Sequence, residues 1–154
     1  MRRLTLTMVL VVLACAPAAS AQLARAVASG GESLALSGGT GWAVVTSRDG
    51  AIVGNVRKGS VRIVDLPRLG KAEVGVTGCE KLRRPNRRTR VCSGRRLSFS
   101  VIDGNWRVAM RGVGINASAV LKGRLVLQGT AGTYSLRHGD PKPWPRRART
   151  FRLG

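Results

Sequence analysis

From Gly41 onward, apolar and polar residues alternate with a period of two. Val61 and Ile63 share one side of a run that has Arg62 and Val64 on the other, and Val74 and Val76 repeat the pattern between Gly70 and Gly78. Leu97, Phe99 and Val101 alternate with serines up to Asp103-Gly104. Beyond it Trp106, Val108 and Met110 alternate with Arg107, Ala109 and Arg111. Successive side chains of an extended strand point to opposite faces, so this alternation predicts half-buried strands. Two such runs joined through Asp-Gly predict a β-hairpin. Further strands are expected over Val113 to Val120, at Leu125 and Leu127 after a Lys122-Gly123 turn, at Tyr134 and Leu136, and over Thr150 to Leu153, where Phe151 and Leu153 close the chain. No window carries a helical period. The pattern predicts an all-β domain, an antiparallel β-sandwich or small barrel of about eight to ten short strands with turns every 8–12 residues or so.

The amino-terminal region follows a different pattern. Arg2 and Arg3 precede an uncharged run from Leu4 to Ala14, Pro17 breaks it, and Ala19-Ser20-Ala21 supplies a small-x-small site. Positive start, short apolar core and cleavage site together predict a secretory signal over residues 1–21. Its apolar run is shorter than the roughly 20 residues a membrane-spanning helix needs, so the mature chain is expected to have no transmembrane segment. Val12-Leu13-Ala14-Cys15 resembles a lipobox, which makes lipidation of Cys15 the competing reading, although Leu13 fits that pattern poorly. Residues 22–40, rich in Ala, Ser and Gly, read as a flexible tether, and residues 41–154 as the basic β domain.

Export changes the reading of the cysteines. Once Cys15 leaves with the signal or is lipidated, Cys79 and Cys92 remain, and a pair in an oxidising compartment predicts a disulfide. A metal site would lack partners, since His138 is the single histidine, and no cofactor fingerprint holds up. Gly112-Val113-Gly114-Ile115-Asn116-Ala117 matches the dinucleotide loop, but no helix and no acidic residue follow at the required places.

Charge is the other departure from the ordinary. The chain has 27 basic and 7 acidic side chains, and removal of Arg2 and Arg3 leaves 25 against 7, a net of +18. High-GC codon usage accounts for arginine in place of lysine but not for the scarcity of Asp and Glu, so anionic partners are expected. Between the cysteines stand Lys81, Arg83, Arg84, Arg87, Arg88 and Arg90, with Arg95 and Arg96 just outside and a turn at Pro85-Asn86. Guanidinium forks grip phosphate and carboxylate in two-point contacts. No aromatic residue interleaves with these arginines, which disfavours nucleic acid. A second cluster, Arg146, Arg147 and Arg149, follows the proline-spaced Pro141-Lys142-Pro143-Trp144-Pro145. Trp144 either pins this segment to the core or serves as an exposed interface ring, whereas Trp42 and Trp106 read as core.

Catalytic groups are few. His138 beside Asp140 reads as a solvated pair, and most carboxylates fall at turns. Asn116-Ala117-Ser118 matches a glycosylation acceptor only formally.

The run from Trp106 through Arg111-Gly112-Val113-Gly114-Ile115-Asn116-Ala117-Ser118-Ala119-Val120 resembles small secreted β-domain proteins of high-GC bacteria. So do Gly132-Thr133-Tyr134-Ser135-Leu136, Pro143-Trp144-Pro145 and Phe151-Arg152-Leu153-Gly154. The members of that group are uncharacterised, so the resemblance implies an exported β domain and no activity. The arginine-rich cysteine loop departs from the group's pattern. The expected function is a secreted binding or structural module of the cell envelope, engaging anionic cell-wall polymer or lipid headgroups. A protein-binding module using a sheet edge or the Trp144 segment is the second reading, and a hydrolase the third.

Overall fold

A computed structural model describes residues 30–67 and 70–154. The signal segment, Cys15 and the first part of the tether lie outside the described residues. The described chain is all-β and antiparallel, with strands β1 (Glu32–Asp65), β2 (Glu73–Thr77), β3 (Lys81–Asn86), β4 (Thr89–Ile102), β5 (Trp106–Leu136), β6 (Lys142–Pro143) and β7 (Arg149–Leu153). They form one sheet in the order β2-β4-β1-β5-β6, with β3 beside β4 and β7 beside β5. The sheet does not close into a barrel.

Two strands are far longer than the alternation suggested: β1 has 34 residues and β5 has 31. They form one antiparallel ribbon, with Leu34 opposite Leu136, Ser47 opposite Gly123, Asp49 opposite Lys122 and Asp65 opposite Trp106. The ribbon winds back on itself. Val45 pairs with Val108 on one edge, and Val108 pairs with Ile63 on the other, so the first half of β1 returns beside the second with β5 between them.

Glycines make this winding possible. Gly94, Gly59, Gly112, Gly41 and Gly129 are register partners in sequence across the sheet and form a row along one bend. Gly41, Gly59 and Gly112 have φ of 147°, 155° and 145°, values that side chains with a Cβ rarely adopt. A Cβ on Gly59 would collide with the Arg111 carbonyl, and one on Gly112 with the Lys58 carbonyl. The buried positions change parity across this row: Leu34 and Leu36 before it, Ala43 and Val45 after it; Ile52 and Val56 before Gly59, Val61 and Ile63 after it. The backbone therefore turns a corner inside a continuous strand.

The bends fold the sheet into a sandwich. Buried residues from both sides of the row, including Leu36, Val56, Leu97, Ile115, Val45, Ile63, Trp106 and Leu125, belong to one core cluster. No helix among the described residues covers that core, so each half of the sheet covers the other. Among the described residues, no helix is long and apolar enough to cross a membrane.

Three expectations need correction. Leu97–Val101 and Trp106–Met110 do not pair as a hairpin. They run end to end along the same edge of β1, with Ile102 opposite Ala51 and Trp106 opposite Ser47, and the chain turns a corner at residues 103–105. Lys122-Gly123 is not a reversal but a point inside β5. β1 begins at Glu32 and buries Leu34 and Leu36, so the tether's last residues belong to the sheet. The expected disulfide between Cys79 and Cys92 is present, with Cα atoms 5.3 Å apart, and fits an oxidising, extracellular compartment.

Candidate anion-binding face

The outer face of the half-sheet beyond the glycine row follows from register and alternation. Cys92, Val61, Met110, Ala43 and Leu127 point into the core, so their strand neighbours point out. One outward row reads Val64, Arg107, Thr46, Arg124 and Arg152, each the register partner of the next. A second reads Arg83, Val91, Arg62, Ala109, Val44, Val126 and Thr150, and a third Lys81, Ser93, Ser60, Arg111, Trp42 and Gln128. Lys81, Arg83, Arg62, Arg107, Arg111, Arg124 and Arg152 are all exposed. The basic surface is thus assembled from cations contributed by β3, β1, β5 and β7.

No Asp or Glu occupies these rows. Arg124 and Arg152 stand directly opposite each other on neighbouring strands. Such strands lie about 4.8 Å apart, and like charges at that separation destabilise the sheet. Among the described residues the salt bridge is elsewhere, between Arg137 Nε and Glu32 Oε1 at 2.7 Å. That hydrogen bond from Arg137 holds the Glu32 carboxyl below its ordinary range and raises Arg137. Beside the first row the surface opens into a hollow of about 730 Å³ lined by Thr46, Arg48, Lys122, Arg124 and Arg152, with Asp49 and Gly154 also at its rim.

Trp42 belongs to this face rather than to the core. It is half-buried between Arg111 and Gln128, and its Nε1 donates to Gln128 Oε1 at 3.2 Å. Gln128 Nε2 in turn donates to the Arg146 carbonyl at 3.1 Å. Trp106 is fully buried, as expected.

The arginines that crowd together in the sequence fall into separate places. The segment between the cysteines is a β-hairpin of β3 and β4 turning at Arg87 and Arg88, where Arg88 N donates to Asn86 Oδ1. Arg83 joins the basic face, whereas Arg84, Arg87 and Arg88 are exposed at its edge and tip. Arg90 instead serves the fold, because its Nη1 donates to the Val74 carbonyl at 2.8 Å and ties β4 to β2. Arg95 and Arg96 are exposed just past the bend at Gly94. Arg146, Arg147 and Arg149 are exposed at the far end of the strand order, so the two linear clusters do not form one site. Arg149 lies 5.6 Å from the Phe151 ring centroid.

Trp144 is not an exposed ring. It is 5% exposed, donates from Nε1 to the Thr133 carbonyl, and packs its ring on Gly39 and Gly129, where a Cβ would collide with it. This segment therefore anchors the chain, and the ring itself is not an exposed interface. His138 is exposed, with its backbone N–H donating to Ser33 Oγ.

Sequence alone does not assemble Arg62, Arg107, Arg111, Arg124 and Arg152 into a site. Outward parity is visible at Arg62, Arg107 and Arg111, but the pairing that makes them neighbours spans the whole chain. No family model matches the chain, and no curated protein or solved structure matches it significantly. Function is therefore read from the chain's own geometry.

Proposed function

We propose that the protein is an exported binding module of the cell envelope that engages anionic polymer or lipid headgroups through the arginine face of its sheet. The observation that carries this reading is a row in which Arg107, Arg124 and Arg152 stand together without a carboxylate partner. Folding alone gains nothing from that arrangement, since the outward positions of a sheet need only be polar and the like charges repel. An anionic surface offsets the repulsion and is gripped by the guanidinium forks. The disulfide adds β3, with Lys81 and Arg83, to the same face. Secretion through the amino-terminal signal places such a face before cell-wall polymer and the outer headgroups.

The role is binding rather than catalysis, and it makes a definite demand on ionic strength. Surface charges act within a Debye length of about 8 Å at physiological salt. Purified protein incubated with cell-wall polymer and with anionic liposomes is expected to be retained at low salt and released steeply as salt rises. Retention that is indifferent to salt, or absent at low salt on both supports, would sink the proposal.

A further inference from the structure

A cleft of about 580 Å³ lies across the glycine bend, away from the arginine rows, and carries two arginines of its own. Arg57 and Arg96 line it together with Asn55, Asn116, Thr40 and Ser98, and no Asp or Glu does. Val56 opposite Leu97 and Lys58 opposite Arg95 put Arg57 and Arg96 face to face on neighbouring strands. That juxtaposition of like charges again lacks a partner.

The backbone adds a second, independent sign. Arg96 has φ 55°, in the left-handed region, as do the glycines that line the same cleft, Gly38 at 62° and Gly114 at 67°. Glycine reaches this region without cost and a residue with a Cβ does not. An arginine held there carries a conformational cost that glycine would not. Gly114 meets the opposite need, since a Cβ on it would fall 2.7 Å from the Arg57 Cβ and displace that side chain.

The polar groups are preset. Asn116 Oδ1 accepts from Gly38 N at 2.8 Å, while its Nδ2 donates to Asn55 Oδ1 at 2.9 Å and to the Gly114 carbonyl at 3.3 Å. This fixes the Asn55 amide with its nitrogen left to donate. The volume falls within the roughly 300–1,000 Å³ of small-molecule pockets. We infer that this cleft binds a sugar-sized, hydroxylated ligand bearing one oxyanion, gripped by Arg57 and Arg96 and hydrogen-bonded by Asn55, Ser98 and Thr40. The site is distinct from the polyanion face and does not depend on it.

Glucose 6-phosphate, glucuronate and neutral glucose serve as probes, titrated into the purified protein up to about 10 mM and followed by backbone amide shifts. At least one charged sugar is expected to shift Gly38, Gly114 and Asn116, and which one responds identifies the oxyanion; glucose is expected to leave them unmoved. Arg96→Gly is expected to weaken that binding about tenfold or more, equal to about 1.4 kcal/mol, while raising Tm by relaxing the backbone. Arg57→Gln should weaken binding likewise. The inference is overturned if neither charged sugar binds, if glucose binds as well as they do, or if either variant binds as the parent does. A lower Tm for Arg96→Gly would also overturn it, by making the guanidinium a structural prop.

Discussion

On one side of the sandwich the outward rows run Thr77, Ser98, Asn55 and Asn116, and Gly75, Ser100, Val53, Ser118, with Ala35 facing both Ser118 and Ser135. On the other side, built from the next segments of the same strands, they run Arg107, Thr46, Arg124 and Arg152, and Arg83, Val91, Arg62 and Ala109. Both faces cover the same core, and both meet the sheet's need for polar outward positions. The second is cationic along its rows, whereas the first carries Arg57 and Arg96 only where it meets the bend. A compositional bias toward arginine would fall on both faces alike, so the uneven distribution is a property of the surface rather than of codon usage. Serine and asparagine show what suffices for folding, and the arginines opposite show what has been added to it.

Charge reversal should separate the faces most sharply. Arg107→Glu combined with Arg124→Glu is expected to reduce retention on anionic liposomes or cell-wall polymer by about tenfold or more, since rows of like charge act together. Ser98→Glu with Ser118→Glu on the serine-rich side should change it by no more than about twofold on the same supports.

The bend that joins the faces comes next. Gly59→Ala is expected to destabilise by about 3 kcal/mol or more in denaturant unfolding, because the new Cβ meets the Arg111 carbonyl in a conformation that disfavours it. Gly38→Ala shares the positive φ, at 62°, but meets nothing within 4 Å, so its cost should be only about 1–2 kcal/mol. Equal costs would mean that the glycine row is not a packed corner. Replacing Cys79 and Cys92 by Ser releases the hairpin from the basic edge and should cost at most about 3 kcal/mol. It should reduce retention less than the charge reversal, since the cations of β1, β5 and β7 remain in place.

The smallest effect belongs to the ion pair at the start of β1. The hydrogen bond from Arg137 lowers the Glu32 pKa below its ordinary value of 4.5, so the pair's contribution is complete above that value and is lost as pH falls through the folded-state pKa. The stability difference between parent and Arg137→Gln should therefore be present at neutral pH and vanish in acid. A difference that grows as pH falls would reverse the sign.

Local alternation is legible in the residues; pairing is not. Leu97, Phe99, Val101, Trp106, Val108 and Met110 are all buried as their period requires. Asp103-Gly104 nevertheless joins two strands that never pair, although both residues take the positive φ of a tight turn, 58° and 67°. Turn residues report local bending, and the long-range partner, here β1, decides whether a bend becomes a hairpin. The glycines resemble strand ends for the same reason, since a corner inside a strand and a turn between strands draw on the same backbone freedom. Linear crowding of arginine occurs at residues 83–90 and 146–149, which contribute only Arg83 to the outward rows. A face that takes a few cations from each strand leaves only scattered arginines in the sequence. The winding of the β1–β5 ribbon brings Arg62, Arg107 and Arg124 into adjoining rows.

The most direct test removes equal charge from two places. Arg107→Gln/Arg124→Gln/Arg152→Gln and Arg146→Gln/Arg147→Gln/Arg149→Gln each delete three cations, the first set from the outward rows and the second from the segment that enters β7, outside those rows. Retention of both on anionic cell-wall polymer and liposomes at low salt, beside the parent, is the measurement. The face account predicts that the first variant is released and the second is held nearly as the parent is. Equal loss in both would show that net charge alone governs binding, and would contradict it.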